Sequence, residues 1–218
     1  MITESLMQQP LFDGIEKTDL ERLINCLNPT IQSYSKNEII YSAGDTVTRV
    51  AMILSGEVRI FSEDYAGNTS VAATLKSGEV FGDICAGIEK SETTARAFTS
   101  SQIMFIEYRK ITGVCREACE YHIKTLCNLL GIFAAKNRAL SEDLQVLQKR
   151  TTREKLLAYL YIHAKKADSP RFNIPFNREG LAEYLRIDRS AMSRELCAMR
   201  DEGLLEFYKN SFILLGEN

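Results

Sequence analysis

The sequence predicts an α+β chain in three zones. Between about Ile31 and Tyr108, short apolar runs alternate with glycine-marked turns. From about Ala118 the apolar residues recur at steps of three and four. Beyond Thr151 come short helical segments and then two apolar runs about a Lys-Asn-Ser turn. These patterns specify an antiparallel β-roll or barrel, one long helix and a small helical domain closed by a hairpin.

Composition narrows the function before any motif is read. The 218 residues are 45% hydrophobic and 26% charged, as in ordinary globular proteins. No run approaches the roughly 18 apolar residues of a membrane span, and MITESLMQQPLFDG has neither a basic start nor an apolar signal core. A cytoplasmic protein with no membrane partner is expected. The six cysteines contain no CxxC pair, so reduced thiols are expected rather than a disulfide framework. Two histidines, no phosphate loop, no nucleophile motif and no clustered carboxylates argue against an enzyme. Charge is divided unevenly: residues 150–218 hold 12 Lys and Arg against 10 Asp and Glu, while the rest is 15 against 19. That direction suits a nucleic-acid-binding C-terminal part.

In the first zone, EIIYSAG, VAMILSG, EVRIFSE, SVAATLKSG and IMFIEY read as strands. Turns at Gly44-Asp45, Ser55-Gly56, Ala66-Gly67-Asn68 and Ser77-Gly78 separate them, and a helical turn precedes them around Lys17–Leu27. The second zone carries Ile123, Leu126, Leu130, Phe133, Asn137, Leu140, Leu144 and Leu147, spaced 3-4-3-4-3-4-3. Such a narrow heptad stripe is the seam of a homodimeric coiled coil, and one polar a-position residue, Asn137, would fix its register.

The third zone opens at Thr151 with Glu154 three residues on, a capping-box spacing that places a hinge at 149–152 and a helix over 153–166. Asn177 and Asp188 are N-caps for helices near 178–185 and 189–202, and LLEFYKNSFILL reads as a hairpin wing. In the second of these helices Met192, Leu196 and Met199 share one stripe. Arg189, Ser190, Ser193, Arg194, Cys197 and Arg200 form a polar arc beside it. Two short helices, a tight turn and a wing make a winged helix-turn-helix, and this arc lies where such a helix meets base edges. Arginine can bond guanine O6 and N7 together, and serine can reach a base edge or a phosphate. The predicted DNA-binding residues are therefore Arg189, Ser190, Ser193 and Arg194, with Arg178 at the start of the preceding helix. The partner is double-stranded DNA with a pseudo-palindromic site.

With these motifs in place, the chain resembles the Crp/Fnr family of bacterial transcription regulators along nearly its whole length. Gly44-Asp45, Ser55-Gly56 and Phe81-Gly82-Asp83 match its cyclic-nucleotide-binding roll, a double-stranded β-helix. The seam matches its dimerisation helix, and Ser193-Arg194 with Arg189 match its helix-turn-helix. The resemblance implies an effector-sensing roll (1–116), a dimerisation helix (117–150) and a winged helix-turn-helix (151–218), with RNA polymerase as a partner. It implies an effector site at Phe81, Gly82, Asp83, Ile84, Ser91, Glu92, Thr93, Thr94 and Phe133, between the roll and the seam.

The departures matter. Members that bind cyclic AMP carry G-E-L and then an R-S pair that holds the phosphate. Here Gly82-Asp83-Ile84 is followed, at the R-S positions, by Ser91-Glu92 or, without gaps, Thr93-Thr94. No arginine is supplied and Glu92 would repel a phosphate, so the small-molecule effector is expected to be something other than cyclic AMP. The iron–sulfur branch uses several N-terminal cysteines, whereas only Cys26 precedes this roll. Arg186 stands where the family's turn has glycine. Cys115, Cys119 and His122 at i, i+4 and i+7 leave a metal or haem site open, and Cys127 and Cys197 leave a thiol switch open, beside the reading of ordinary thiols; no metal or cofactor is assigned.

Overall fold

The computed structural model describes residues 2–82, 90–113 and 120–215. Contacts divide the chain into two compact units, Met1–Ala134 and Ala135–Asn218, and the division falls inside the long helix.

The first unit begins with α1 (Ile2–Met7), a 3-10 turn at Pro10–Phe12 and α2 (Lys17–Leu27). Its strands are β1 (Thr30–Tyr34), β2 (Ile39–Tyr41), β3 (Arg49–Ser55), β4 (Glu57–Glu63), β5 (Thr69–Lys76), β6 (Val80–Phe81), β7 (Thr93–Ala97) and β8 (Ser101–Glu107). They pair antiparallel in two sheets, ordered β1-β8-β3-β6 and β2-β7-β4-β5. A short α3 (Tyr108–Thr112) follows.

The strand sequences record how many faces each strand covers. On β3 and β8, Ala51, Ile53, Ile103 and Phe105 join Val58, Ile60, Phe81 and Ala95 between the sheets. Their neighbours Val50, Met52, Met104 and Ile106 join Leu11, Phe12, Leu20, Leu23 and Leu27 from the N-terminal helices. A strand buried on both faces must be apolar at every position, hence the unbroken VAMIL and IMFI. Strand β4 covers one face, so EVRIFSE buries Val58 and Ile60 and exposes more of the residues between. Each of these buried aliphatic side chains contributes about 1.5–3 kcal/mol. At the β3–β4 turn Gly56 has φ +91°, and a Cβ there would lie 2.2 Å from Ser101 Oγ and 2.5 Å from the Ser100 carbonyl. Only glycine fits.

Helix α4 (Glu120–Leu147) spans 28 residues, about 42 Å at 1.5 Å per residue. Its His122, Thr125 and Leu129 are buried, and Leu126, Ile132 and Phe133 pack partly against the helix-side core. Asn128 Nδ2 donates to the carbonyls of Leu11 (3.1 Å) and Asp13 (2.9 Å), tying the helix to the N-terminal turn.

The second unit holds α5 (Thr152–Ala167), β9 (Arg171–Asn173), α6 (Arg178–Leu185), α7 (Arg189–Asp201), β10 (Leu205–Tyr208) and β11 (Ser211–Leu214), with sheet order β10-β11-β9. Thr151 and Glu154 form the full reciprocal capping box. One core gathers Val146 of α4 with Leu156, Leu160, Phe172, Leu181, Leu185, Met192, Leu196, Met199, Leu205 and Phe212. Among the described residues no helix is long and apolar enough to cross a membrane.

Candidate nucleic-acid interface and effector region

Helix α7 is placed by its cap, its turn and its buried stripe. Asp188 accepts a 2.7 Å hydrogen bond from the Ala191 amide, so the helix starts at Arg189. The preceding turn puts Arg186 in the left-handed region at φ 52°, ψ 53°, a conformation that costs a residue with a Cβ more than glycine. The Arg186 and Ile187 amides donate back to the carbonyls of Glu183 and Ala182, both at 3.0 Å, which closes the turn. Met192, Leu196 and Met199 are fully buried. With that stripe fixed inward, Arg189, Ser190 and Arg194 are exposed and Ser193 is half-buried.

Among the described residues, no carboxylate lies within ion-pair distance of Arg189 or Arg194. Their donors are open to a ligand. Arg200, on the same arc, is occupied: its Nε and Nη2 reach Asp201 Oδ1 at 3.1 and 3.0 Å. The Arg178 guanidinium sits against the wing, its carbon 4.8 Å from the Phe207 ring centre and 5.0 Å from that of Phe212. Burial there lowers its pKa from the ordinary arginine value, and the nearby Cys197 thiol opposes the shift.

Three features of this unit escaped sequence reading. Lys155 Nζ donates to the Leu185 carbonyl at 2.9 Å, satisfying an open carbonyl at the end of α6. The Tyr184 hydroxyl, on α6, donates to Asp143 Oδ1 on α4. Arg153, at the start of α5, donates through Nε to Glu195 Oε1 at 2.5 Å and through Nη2 to Glu202 Oε1 at 2.6 Å. All three join residues distant in sequence, which no local pattern encodes.

The seam residues of α4 divide by exposure. Ile123, Leu130, Leu140 and Leu144 are 57–65% exposed within the single chain. Leu126, Phe133 and Leu147 are half-buried, and Asn137 is exposed, with the Ser141 hydroxyl 3.5 Å from its Oδ1.

In the roll, the residues expected to hold an effector are dispersed. Phe81 is buried between the sheets. Gly82 lines a cavity of about 320 Å³ with Tyr41, Asp45, Thr46, Arg49 and Phe105. Ser91 is 2% exposed, and its hydroxyl donates to the Thr93 carbonyl at 2.8 Å. Its backbone bonds Gly44 (2.7 Å) and Asp45 (2.9 Å). Glu92 and Thr94 line a second cavity of about 270 Å³ with Phe61, Glu63 and Arg96, and Thr94 Oγ1 accepts from the Ala43 amide. Phe133 packs on the helix-side core, not with Phe81. Asp83, Ile84, Cys115 and Cys119 lie outside the described residues. His122 is buried, while Cys26, Cys127 and Cys197 are exposed.

Comparison with known proteins matches the first and third zones to family models. A family model described as a cyclic nucleotide-binding domain matches residues 31–118, and a Crp-like helix-turn-helix domain matches 154–216. The chain is 24% identical over 200 residues to the cyclic AMP receptor protein of Thermus thermophilus, covering 90% of this chain and 88% of that one. It is 23% identical over 192 residues to the global nitrogen regulator of a Nostoc species, covering 83% of each. The solved catabolite activator protein of Thermus thermophilus superposes with a TM-score of 0.51 at 20% identity, over 95% of this chain and 94% of that one. With a nucleotide-binding-type roll, a long helix and a Crp-like helix-turn-helix in that order, the chain belongs to the Crp/Fnr family of DNA-binding transcription regulators.

Proposed function

We propose that the protein is a homodimeric regulator that reads a pseudo-palindromic duplex and responds to an effector other than cyclic AMP. The observation that carries the DNA reading is α7 itself. Its apolar stripe is wholly buried, while Arg189 and Arg194 stand exposed without an ion-pair partner among the described residues. On this reading Arg194 and Arg189 contact base edges, Ser190 and Ser193 contact bases or phosphates, and Arg178 steadies the wing beside the backbone. RNA polymerase is the partner through which bound protein would act on transcription.

The dimer reading rests on the exposed apolar seam. Leaving Ile123, Leu130, Leu140 and Leu144 in water forgoes burial worth about 25 cal/mol per Å², which a second copy of the same stripe would recover. Asn137 would then meet its own equivalent and select the two-stranded form.

The effector reading is an organic or anionic metabolite sensed in the roll. At the positions where cyclic-AMP-binding members hold phosphate, one alignment places Ser91, whose hydroxyl is committed to Thr93, and Glu92, a like charge; the ungapped one places Thr93 and Thr94, and neither supplies a cation. The Gly82-lined cavity offers one arginine, Arg49, whose guanidinium lies 4.6 Å from the centre of the Phe105 ring.

Selection of duplexes from a random library, with sedimentation of the free protein, tests the DNA and dimer readings together. The expected result is a dimer that enriches a two-fold-related motif with half-site centres about one helical turn, ~34 Å, apart. A monomer, or no enrichment, would overturn it.

A further inference from the structure

Arg153 sits badly for its own helix. As the second residue of α5 it places a positive charge where the helix dipole is also positive, a position that favours Asp or Glu. The capping box at Thr151 and Glu154 already satisfies that terminus, so α5 does not need the arginine to begin. The side chain instead reaches across to α7. Its Nε meets Glu195 at 2.5 Å and its Nη2 meets Glu202 at 2.6 Å, two carboxylates seven residues apart. One guanidinium thus grips α7 near its middle and at its end. The two carboxylates hold the guanidinium above its ordinary arginine pKa, and Arg153 in turn holds Glu202 below the usual carboxylate range.

The location gives this grip a consequence. Glu195 directly follows Arg194, and Glu202 follows the last residue of α7. The buried stripe of Met192, Leu196 and Met199 fixes which face of α7 points inward, and its packing sets a first limit on pitch and sliding. Two charge-assisted hydrogen bonds from one planar, rigid fork restrain both. Lys155, two residues on, bonds the last carbonyl of α6, so the first turn of α5 holds both helices of the helix-turn-helix.

We propose that Arg153 is a positioning residue for DNA reading: by bonding Glu195 and Glu202 together it sets the pitch of α7, so that Arg189 and Arg194 meet their bases in register. The proposal rests on α7 being the DNA-reading helix. Arg153 touches no base on this account. Its loss should therefore lower discrimination between a selected site and a scrambled duplex more than it lowers binding to the scrambled duplex, which depends on phosphate contacts.

The test measures binding of the full-length protein to both duplexes by fluorescence anisotropy, for wild type, Arg153→Ala, Arg153→Lys and the double variant Glu195→Gln with Glu202→Gln. Measurements are made at a temperature where circular dichroism shows each variant folded. Arg153→Ala should lose about tenfold in discrimination, in the range of groups coupled in one ion-pair network. The double Gln variant should lose a similar factor, and Arg153→Lys should recover only part of it, because an ammonium cannot bond both carboxylates in a fixed fork. If instead Arg153 merely shields two carboxylates from DNA, the double Gln variant would bind both duplexes more tightly than wild type; that result overturns the proposal. Unchanged discrimination in Arg153→Ala also overturns it. A wild type that discriminates between no duplexes refutes the DNA reading itself, and is recognised as such because it precedes any variant.

Discussion

The roll and the helix-turn-helix unit of this protein use their polar residues in opposite ways. In the C-terminal unit the polar groups that hold the fold are distinct from those left open. Asp188 caps, Lys155 bonds a helix end and Arg153 grips two carboxylates, while Arg189 and Arg194 of α7 hold no ion pair among the described residues. In the roll two of the positions expected by resemblance to hold a ligand, Ser91 and Thr94, make hydrogen bonds within the fold. Ser91 is buried and bonded to Thr93, Gly44 and Asp45, and Thr94 accepts from Ala43. A surface residue with no internal partner remains available to a ligand, whereas one already bonded within the fold is not.

That contrast can be broken most forcibly in the core beneath α7. Leu196→Ala, at a fully buried position, should cost about 2–5 kcal/mol. If the compact units unfold separately, thermal melts should show a lowered C-terminal transition and an unmoved transition for the roll. A single transition that moves as one would contradict that separation.

A smaller effect is expected on the exposed face. Arg194→Ala should leave the fold unchanged and weaken binding to the best duplex by about 1–3 kcal/mol, relaxing preference at one base position. In the roll, calorimetry with cyclic AMP should show no binding in the micromolar range. Tight binding would mean that another cation, such as Arg49, Lys90 or Arg96, holds the phosphate. On the seam, Asn137→Leu should keep association but admit species other than the dimer in sedimentation; a purely dimeric variant would remove Asn137 as the specifier.

The smallest effect concerns pH. His163 lies with its ring centre 4.5 Å from that of Tyr159 and is stacked on Phe172. Burial lowers its pKa below the ordinary 6.5, nearby Lys166 adds to the shift and Glu142 opposes it. The folded state therefore favours neutral imidazole. Its contribution to stability is complete above about pH 6.5 and is lost as pH falls through the lowered folded value. His163→Phe should flatten that part of the pH–stability curve for the C-terminal unit, and an unchanged curve would assign the pH response elsewhere.

Much of this architecture was readable from local pattern. The unbroken VAMIL and IMFI and the alternating EVRIFSE distinguish strands covered on two faces from one covered on one. Asn177 and Asp188 mark two helix starts to the residue, and the Thr151–Glu154 capping box marks a third that begins at Thr152, one residue before the expected 153. The elements that escaped have physical reasons. Strand β7, TTARA, buries only alanines, so it shows no apolar period, and β6 is two residues long. The proposed DNA-contact arc was legible because helical periodicity separates it from the core stripe. The grip of Arg153 on residues 42 and 49 positions away was not, because only tertiary packing brings them together.

Sequence reading by α7 is tested most directly by the binding of wild-type protein to its selected duplex and to a scrambled duplex of equal composition, measured over a range of salt concentrations. A DNA-reading α7 should prefer the selected duplex at every concentration, with affinity for both falling steeply as salt rises because phosphate contacts release counterions. Equal affinity for the two duplexes, or no salt-dependent binding to either, would contradict it.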